Sequence, residues 1–399
     1  MNLDQSNLAI RKLLASYSHT DPDDWFLTFK ARFGMAVAMQ SIYDIYGHGE
    51  VITQPYTCIT AINPIIAGNL KPIYADIDQQ TLSITHPEKL YNSKTVAIVM
   101  QHTLGIIGED CQEIADFAKR RRLVLFEDSA HCITRMATDK SGKILADISI
   151  HSFGVEKVLQ NTKFGGAIYV NPALKQKNPQ LYDKITSKLL NLPQPPIGLK
   201  LRSRTYRFQN AILHRMPNSL YHDLRNLAYK AHIFELAVAP YEQSGEQSRP
   251  YATTKYVNDI ILRHLPSLPS IYKRRLKNTQ MYNKELVKNP NFTQLTQTSQ
   301  PLLAYPILFP TAAEATEVYD ILTSSKFHIR RWYSPLIYPG PTSNRRYHYS
   351  PKMAPIAEGI HARILCLPTD LTPEKMQTIL AILRPVKNPV EKLIKSKNK

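Results

Sequence analysis

Cysteine is scarce in this chain: four residues in 399, at Cys58, Cys111, Cys132 and Cys366. None forms a CxxC pair or stands near a histidine at metal-ligand spacing, so neither a metal site nor a disulfide framework is suggested and reduced thiols are expected. Long apolar runs are missing as well; no stretch approaches the roughly 18 residues that a membrane span needs. The early residues include Asp4, Asp21, Asp23 and Asp24 and lack the basic and then apolar layout of a secretory signal, which points to the cytoplasm. Acids are in short supply: 32 Asp and Glu stand against 50 Lys and Arg, a formal charge of +18. Such a protein attracts anions, whether nucleic acid, an acidic membrane surface or phosphorylated small molecules, and charge alone does not choose among them. No recognised nucleic-acid motif accompanies the charge, so nucleic acid is not expected as a partner.

The length suits two domains, since single cores stop growing at roughly 250–300 residues. From 51 to 170 short apolar runs alternate with helix-like stretches, the pattern of βα units around a largely parallel sheet. Strands are expected at 51–53, 72–76, 96–100, 123–127, 148–152 and 167–170, with a helix at 111–121 whose Ile114, Phe117 and Ala118 form one apolar stripe. The stretch 190–251 differs. After Pro193, Pro195 and Pro196 it carries Lys200, Arg202, Arg204, Arg207, Arg215, Arg225 and Lys230, with Asp223 the one acid between 200 and 230. Tyr206, Phe208, Ile212, Leu213 and Met216 interleave with these cations. A helix packed on its own subunit or on a partner would show this pattern, and so would one lying on a membrane surface through 195–235. A strand-like segment at 302–308 and a helix after Thr372 belong to a smaller domain. The expected organisation is a large α/β domain over 1–189, a basic helical insertion over 190–251, a smaller C-terminal α+β domain over 252–385, and a frayed basic tail over 386–399.

The chemistry gathers at two strand ends. In open α/β sheets ligands sit beyond the carboxyl ends of the strands. Asp128 follows one such strand and Lys157 follows the next, so both can face one crevice. Pyridoxal phosphate needs this pair: an amine that bonds to its carbonyl carbon, and a carboxylate that keeps its ring nitrogen protonated. Taken singly, each residue reads more simply as a surface lysine or a helix-capping aspartate, and the pair at strand ends is what is less ordinary.

The segments VITQPYTCITAINPIIAGNLKPIYADID (51–78), EDSAH (127–131), SFGVEK (152–157) and GGAIYVN (165–171) occur together and in this order. In that set the chain resembles the DegT/StrS family of sugar aminotransferases, which have fold type I and use pyridoxal phosphate. The resemblance implies a large domain with a mainly parallel sheet and a smaller α+β domain, a homodimer, glutamate as amino donor and a nucleotide-linked ketosugar as acceptor. It implies that Lys157 is the Schiff-base lysine and proton carrier, and that Asp128 is the partner of the ring nitrogen. His131 falls where the family has Gln or His near the cofactor's O3 oxygen; it is equally a satisfied core histidine. Ser152 matches a phosphate-contacting hydroxyl, with a turn cap as the alternative. Gly34 and Met35 match the small-residue turn whose backbone donors hold the phosphate at a helix start.

The chain also departs from the family pattern. Cys58 stands where an aromatic commonly stacks on the pyridine ring. The family's Asn-aromatic-Arg segment, which crosses the dimer to the phosphate, has no match, and Pro250 and Ala252 fall there. Near the turn formed by Trp332, Tyr333, Ser334, Pro335 and Leu336, Ile337 replaces the usual His. Arg330, Arg331 and Tyr333 at this turn are the candidate substrate contacts, with Arg345 and Arg346 nearby, because guanidinium groups suit carboxylates and diphosphates; a solvated basic loop is the alternative. Two other functions remain: a dehydratase of the same cofactor class, which the presence of Lys157 disfavours, and a non-catalytic sensor or membrane-associated binding protein.

Overall fold

The computed structural model describes residues 1–213, 227–229, 235–287 and 289–384. Arg215, Met216, Arg225, Lys230 and the tail 386–399 lie outside the described residues, as do the side chains of Arg207, Ile212 and Leu213.

Each strand expected between 51 and 170 forms, shifted by no more than two residues at an end. They follow a first strand, β1 (Trp25–Thr28), that sequence patterning did not reveal. Four residues, WFLT, are too few to display alternation. The others are β2 (Glu50–Thr53), β3 (Lys71–Tyr74), β4 (Thr95–Gln101), β5 (Val124–Asp128), β6 (Ile148–Ser152) and β7 (Gly166–Val170). Their order in the sheet is β1-β7-β6-β5-β4-β2-β3. The five strands from β3 to β6 are parallel, while β7 runs antiparallel to both β6 and β1.

The sheet is buried on both faces, which explains its continuous apolar strands. Ala97 and Val99 of β4 join Val124 and Phe126 of β5 in a layer against the helix Ala31–Tyr46; Ile98, Met100 and Leu125 face the helix Cys111–Arg120. A second, antiparallel sheet holds β8 (Thr293–Gln294), β9 (Ala304–Leu308) and β10 (Ile364–Pro368). Helices Leu268–Glu285, Ala312–Ser324 and Pro373–Leu383 cover it through Tyr282, Leu322, Met376 and Ile379. The middle helix opens on a capping box in which Thr311 and Glu314 each satisfy the other's backbone N–H. The fold is therefore the expected α/β domain with a mainly parallel sheet plus a smaller α+β domain. Among the described residues no helix is long and apolar enough to cross a membrane.

Strands β4, β5 and β6 end together at Gln101, Asp128 and Ser152. Because β1 and β6 both oppose β7, β1 runs with the parallel strands, and the helix that follows it starts at the same edge. Gly166 permits that approach: a Cβ there would lie 2.3 Å from Ala31 Cα and 2.4 Å from Ala31 N. The smaller domain reaches this edge through a backbone seam, in which Ile337 N–H donates to Pro55 O, Tyr338 N–H to Thr57 O and Ile59 N–H to Tyr338 O, each at 2.8 Å.

The basic stretch is helical at Ile197–Leu213. Of its interleaved aromatics, Phe208 is exposed, but Tyr206 is only 6% exposed and packs edge-on against Phe164. Tyr206 is thus removed from the membrane-facing set, because its helix turns that side toward the protein's own core.

Gly166→Ala should destabilise the fold by about 1–3 kcal/mol, since backbone rather than a flexible side chain opposes the added methyl. Chemical denaturation compared with the wild type checks this; an unchanged midpoint would contradict the close approach.

Candidate active site

A cavity of about 540 Å³ opens at the shared strand edge. Cys58, Asp128, Ser152, Lys157 and Tyr333, all singled out from sequence, line it, together with Ala130, Thr60, Trp332 and Tyr338. Lys157 is partly buried, its free surface turned to the cavity while protein surrounds the rest. Among the described residues it makes no hydrogen bond or ion pair; its amine lies 5.4 Å from the centroid of the Trp332 ring. Desolvation pushes the amine below the ordinary lysine range, and Arg330 adds to this, while Cys58, Asp128 and Glu156 oppose it. Asp128 is shifted the opposite way: burial raises its carboxyl, and the Ala130 N–H at 3.0 Å and the charge of Lys157 hold it back.

His131 does not line the cavity. It is 4% exposed and stacks on Trp332 at 5.1 Å with 9° between the rings. Burial, with the nearby Lys157 and Arg330 charges, drives its pKa well below the ordinary value, so the ring is neutral. Nδ1 accepts the Leu104 N–H at 3.0 Å, which puts the proton on Nε2, where it is donated to Tyr333 Oη at 3.1 Å. Tyr333 is left with its own O–H to offer, and burial raises its pKa so that the proton stays on. His131 therefore acts through Tyr333.

The helix start differs from the sequence expectation. Lys30 is extended and caps the helix without a side-chain bond, so the residues of the first turn that line the cavity are Ala31 and Arg32. Gly34 sits deeper in the helix, its Cα facing Ile168 of the sheet, and Met35 is in the core. The helix begins three residues earlier than the small-residue turn suggested, because the chain reverses directly after β1. Lys30 Nζ pairs with Glu235 at 2.8 Å, and Arg32 pairs with Glu242 and donates to Ala237 O at 2.6 Å. Ser152 faces the cavity while its Oγ accepts the Gly154 N–H at 3.2 Å, so its capping role is realised without removing it from the site. Arg331 donates to Ala362 O at 3.1 Å within the smaller domain and does not line the cavity. Arg330 also stays behind the wall, 9% exposed, with its guanidinium 5.0 Å from the Trp332 centroid. Trp332, Thr60, Tyr338 and the cations Lys30, Arg32 and Lys163 are among the lining residues that sequence reading did not assign to the site. Of these Trp332 carried a signal, being one of two tryptophans and next to Tyr333.

This donor set fits pyridoxal phosphate: an amine with no hydrogen bond or ion pair among the described residues, a carboxyl one strand away, a hydroxyl, and N–H groups at a helix start, all facing one cavity. Fold and site together define a pyridoxal-phosphate-dependent transferase of fold type I. The chain belongs to the DegT/DnrJ/EryC1/StrS aminotransferase family, which it matches over residues 31–188 and 254–384. A dTDP-4-amino-4,6-dideoxy-D-glucose transaminase of Shigella dysenteriae is 36% identical over 127 residues, covering 31% of this chain and 34% of the relative's own length. An Escherichia coli protein of the same name is 25% identical over 345 residues, 84% of this chain and 79% of that one. Among solved structures, Bacillus subtilis NtdA with bound cofactor PMP superposes with a TM-score of 0.68 at 17% identity, covering 95% of this chain and 76% of that one.

Behind Asp128, on the other face of β5, Glu127 and His102 are fully buried and 2.6 Å apart, and Glu127 Oε1 also accepts the Ala137 N–H at 2.6 Å. Burial by itself would raise the Glu127 carboxyl, but the His102 charge and these hydrogen bonds outweigh it and hold the group below the ordinary value of 4.5. A carboxyl lowered in the folded state stabilises the protein above its unfolded value, and that contribution is lost as pH falls through the folded one. Glu127→Gln should lower stability at neutral pH by roughly 3 kcal/mol and flatten the decline of the melting temperature below about pH 4.5. Melting curves from pH 7 to pH 3 decide; parallel curves for the two proteins would remove Glu127 from the acid response.

Proposed function

We propose that this protein moves an amino group from glutamate to the keto group of a nucleotide-linked ketosugar, as a homodimer working in the cytoplasm. The observation that carries the reading is the shared cavity of Lys157 and Asp128, with Lys157 in no hydrogen bond or ion pair among the described residues. Pyridoxal phosphate, when bound, supplies the electron sink that makes the exchange of a carbon–nitrogen bond feasible. Lys157 carries the proton to and from the substrate carbon, and its lowered pKa provides more of the neutral amine that this task needs. Asp128 holds the proton on the ring nitrogen. The N–H groups of Ala31 and Arg32 and the Ser152 hydroxyl receive the phosphate. Tyr333, held by His131, offers a hydrogen bond from the opposite wall. Support for a nucleotide sugar as acceptor comes from the names of the Shigella and Escherichia relatives and from the cation Lys163 in the lining.

With added pyridoxal phosphate the wild type should gain visible absorbance and, after borohydride, a covalent label on Lys157. Lys157→Ala should show neither. Asp128→Asn should keep the label and lose amino transfer from glutamate by on the order of 10²-fold or more. Absence of any Lys157-dependent label would sink the reading.

A further inference from the structure

Among the described residues Trp332 is the aromatic side chain within cation–π distance of the Lys157 amine, which lies 5.4 Å from its centroid. Its placement is over-determined. Trp332 is 7% exposed, its carbonyl accepts the Tyr56 hydroxyl and the Cys366 thiol, and its ring stacks parallel to His131 at 9° and to Tyr333 at 12°. Tyr56 belongs to the segment after β2, so the indole is fixed relative to the large sheet although it comes from the smaller domain. Lys157 has no comparable anchor of its own. Its neighbour Glu156 is engaged with His328 at 2.7 Å, and Asp128 Oδ1 is engaged with the Ala130 N–H.

We propose that Trp332 is a positioning residue for Lys157: the face of its indole holds the lysine ammonium at the cavity wall and so sets where the amine stands when a ligand arrives. The attraction is that of a cation for the negative face of an aromatic quadrupole, strongest for tryptophan and strengthened where water is excluded. Arg330 shares the ring, with its guanidinium 5.0 Å from the same centroid. The indole thus draws both cations to one place despite their mutual repulsion. The groups that act on Lys157 are Asp128 from β5, Cys58 at the start of the helix Ile59–Ala67, Glu156 on its own loop, Arg330 from the segment before Trp332, and neutral His131 behind the ring.

The inference rests on Lys157 as the cofactor lysine only for its significance, because the contact can be measured without cofactor. Competitive acetylation of the apoprotein across a pH series, read by mass spectrometry on the Lys157 peptide, gives the midpoint at which that amine loses its proton. A cation held by the ring is stabilised in its protonated form, so Trp332→Leu should lower the midpoint by roughly one pH unit. Trp332→Tyr, which keeps a π face, should stay within a few tenths of the wild type. If Trp332 merely fills space, its truncation admits water, relieves desolvation and raises the midpoint. A rise, no change, or a tyrosine variant displaced as far as leucine overturns the proposal. Trp332→Met serves as a second non-aromatic variant should leucine unfold the chain, and Trp25, the sole remaining tryptophan, reports folding in every variant. Labelling with pyridoxal phosphate and borohydride in parallel keeps the two readings apart: a shifted acetylation midpoint without a Lys157 label would uphold the contact and fail the transaminase.

Discussion

The structure turns on one electrostatic constraint: a lysine amine must be kept partly shielded from water with no carboxylate bonded to it. A direct ion pair would satisfy the amine and end its usefulness as a nucleophile and proton carrier. Asp128 is near enough to influence Lys157 and is bonded elsewhere, to the Ala130 N–H. The two residues owe this spacing to their position at the ends of adjacent parallel strands, β5 and β6. Burial then shifts the two groups in opposite directions, the amine down and the carboxyl up.

The cavity is a joint product of two sheets. The parallel sheet supplies Asp128, Ser152 and Lys157, and the smaller domain supplies Trp332, Tyr333 and Tyr338. What joins them is backbone pairing between 55–59 and 337–338, which does not depend on side-chain identity and tolerates Ile337 at the turn. Ile337 is fully buried with Ile59 and Ile62, so it contributes packing where a polar side chain would have to be satisfied.

The bulk charge of +18 does not translate directly into a strongly cationic site. Lys30 and Arg32, at the helix start, are matched by Glu235 and Glu242 from the basic stretch, so two of the stretch's few acids are spent at the cavity. An incoming phosphate meets the helix N–H groups and a nearly neutral pair of ion pairs, and Lys157 and Lys163 remain as the other cations in the lining. Lys163 is itself tied to Gln160 O at 3.1 Å.

The sequence by itself determined the βα alternation and the strand ends, and it singled out Lys157 and Asp128, which line one cavity. Strands buried on both faces read as continuous apolar runs, and ligands in open α/β sheets sit beyond their carboxyl ends, so residues that closely follow a run can reach the crevice. It placed Ser152, Cys58 and Tyr333 at the cavity through spaced motifs. Only the tertiary structure showed that the helix start presents Ala31 and Arg32 in place of Gly34 and Met35, because β1 is too short to leave a periodic signal. His131 works through Tyr333, Arg330 lies behind Trp332, and Arg331 is bonded within the smaller domain. His131 and Tyr333 lie 202 residues apart and Arg331 and Ala362 lie 31 apart, and local patterning carries no information about which distant group will share a wall.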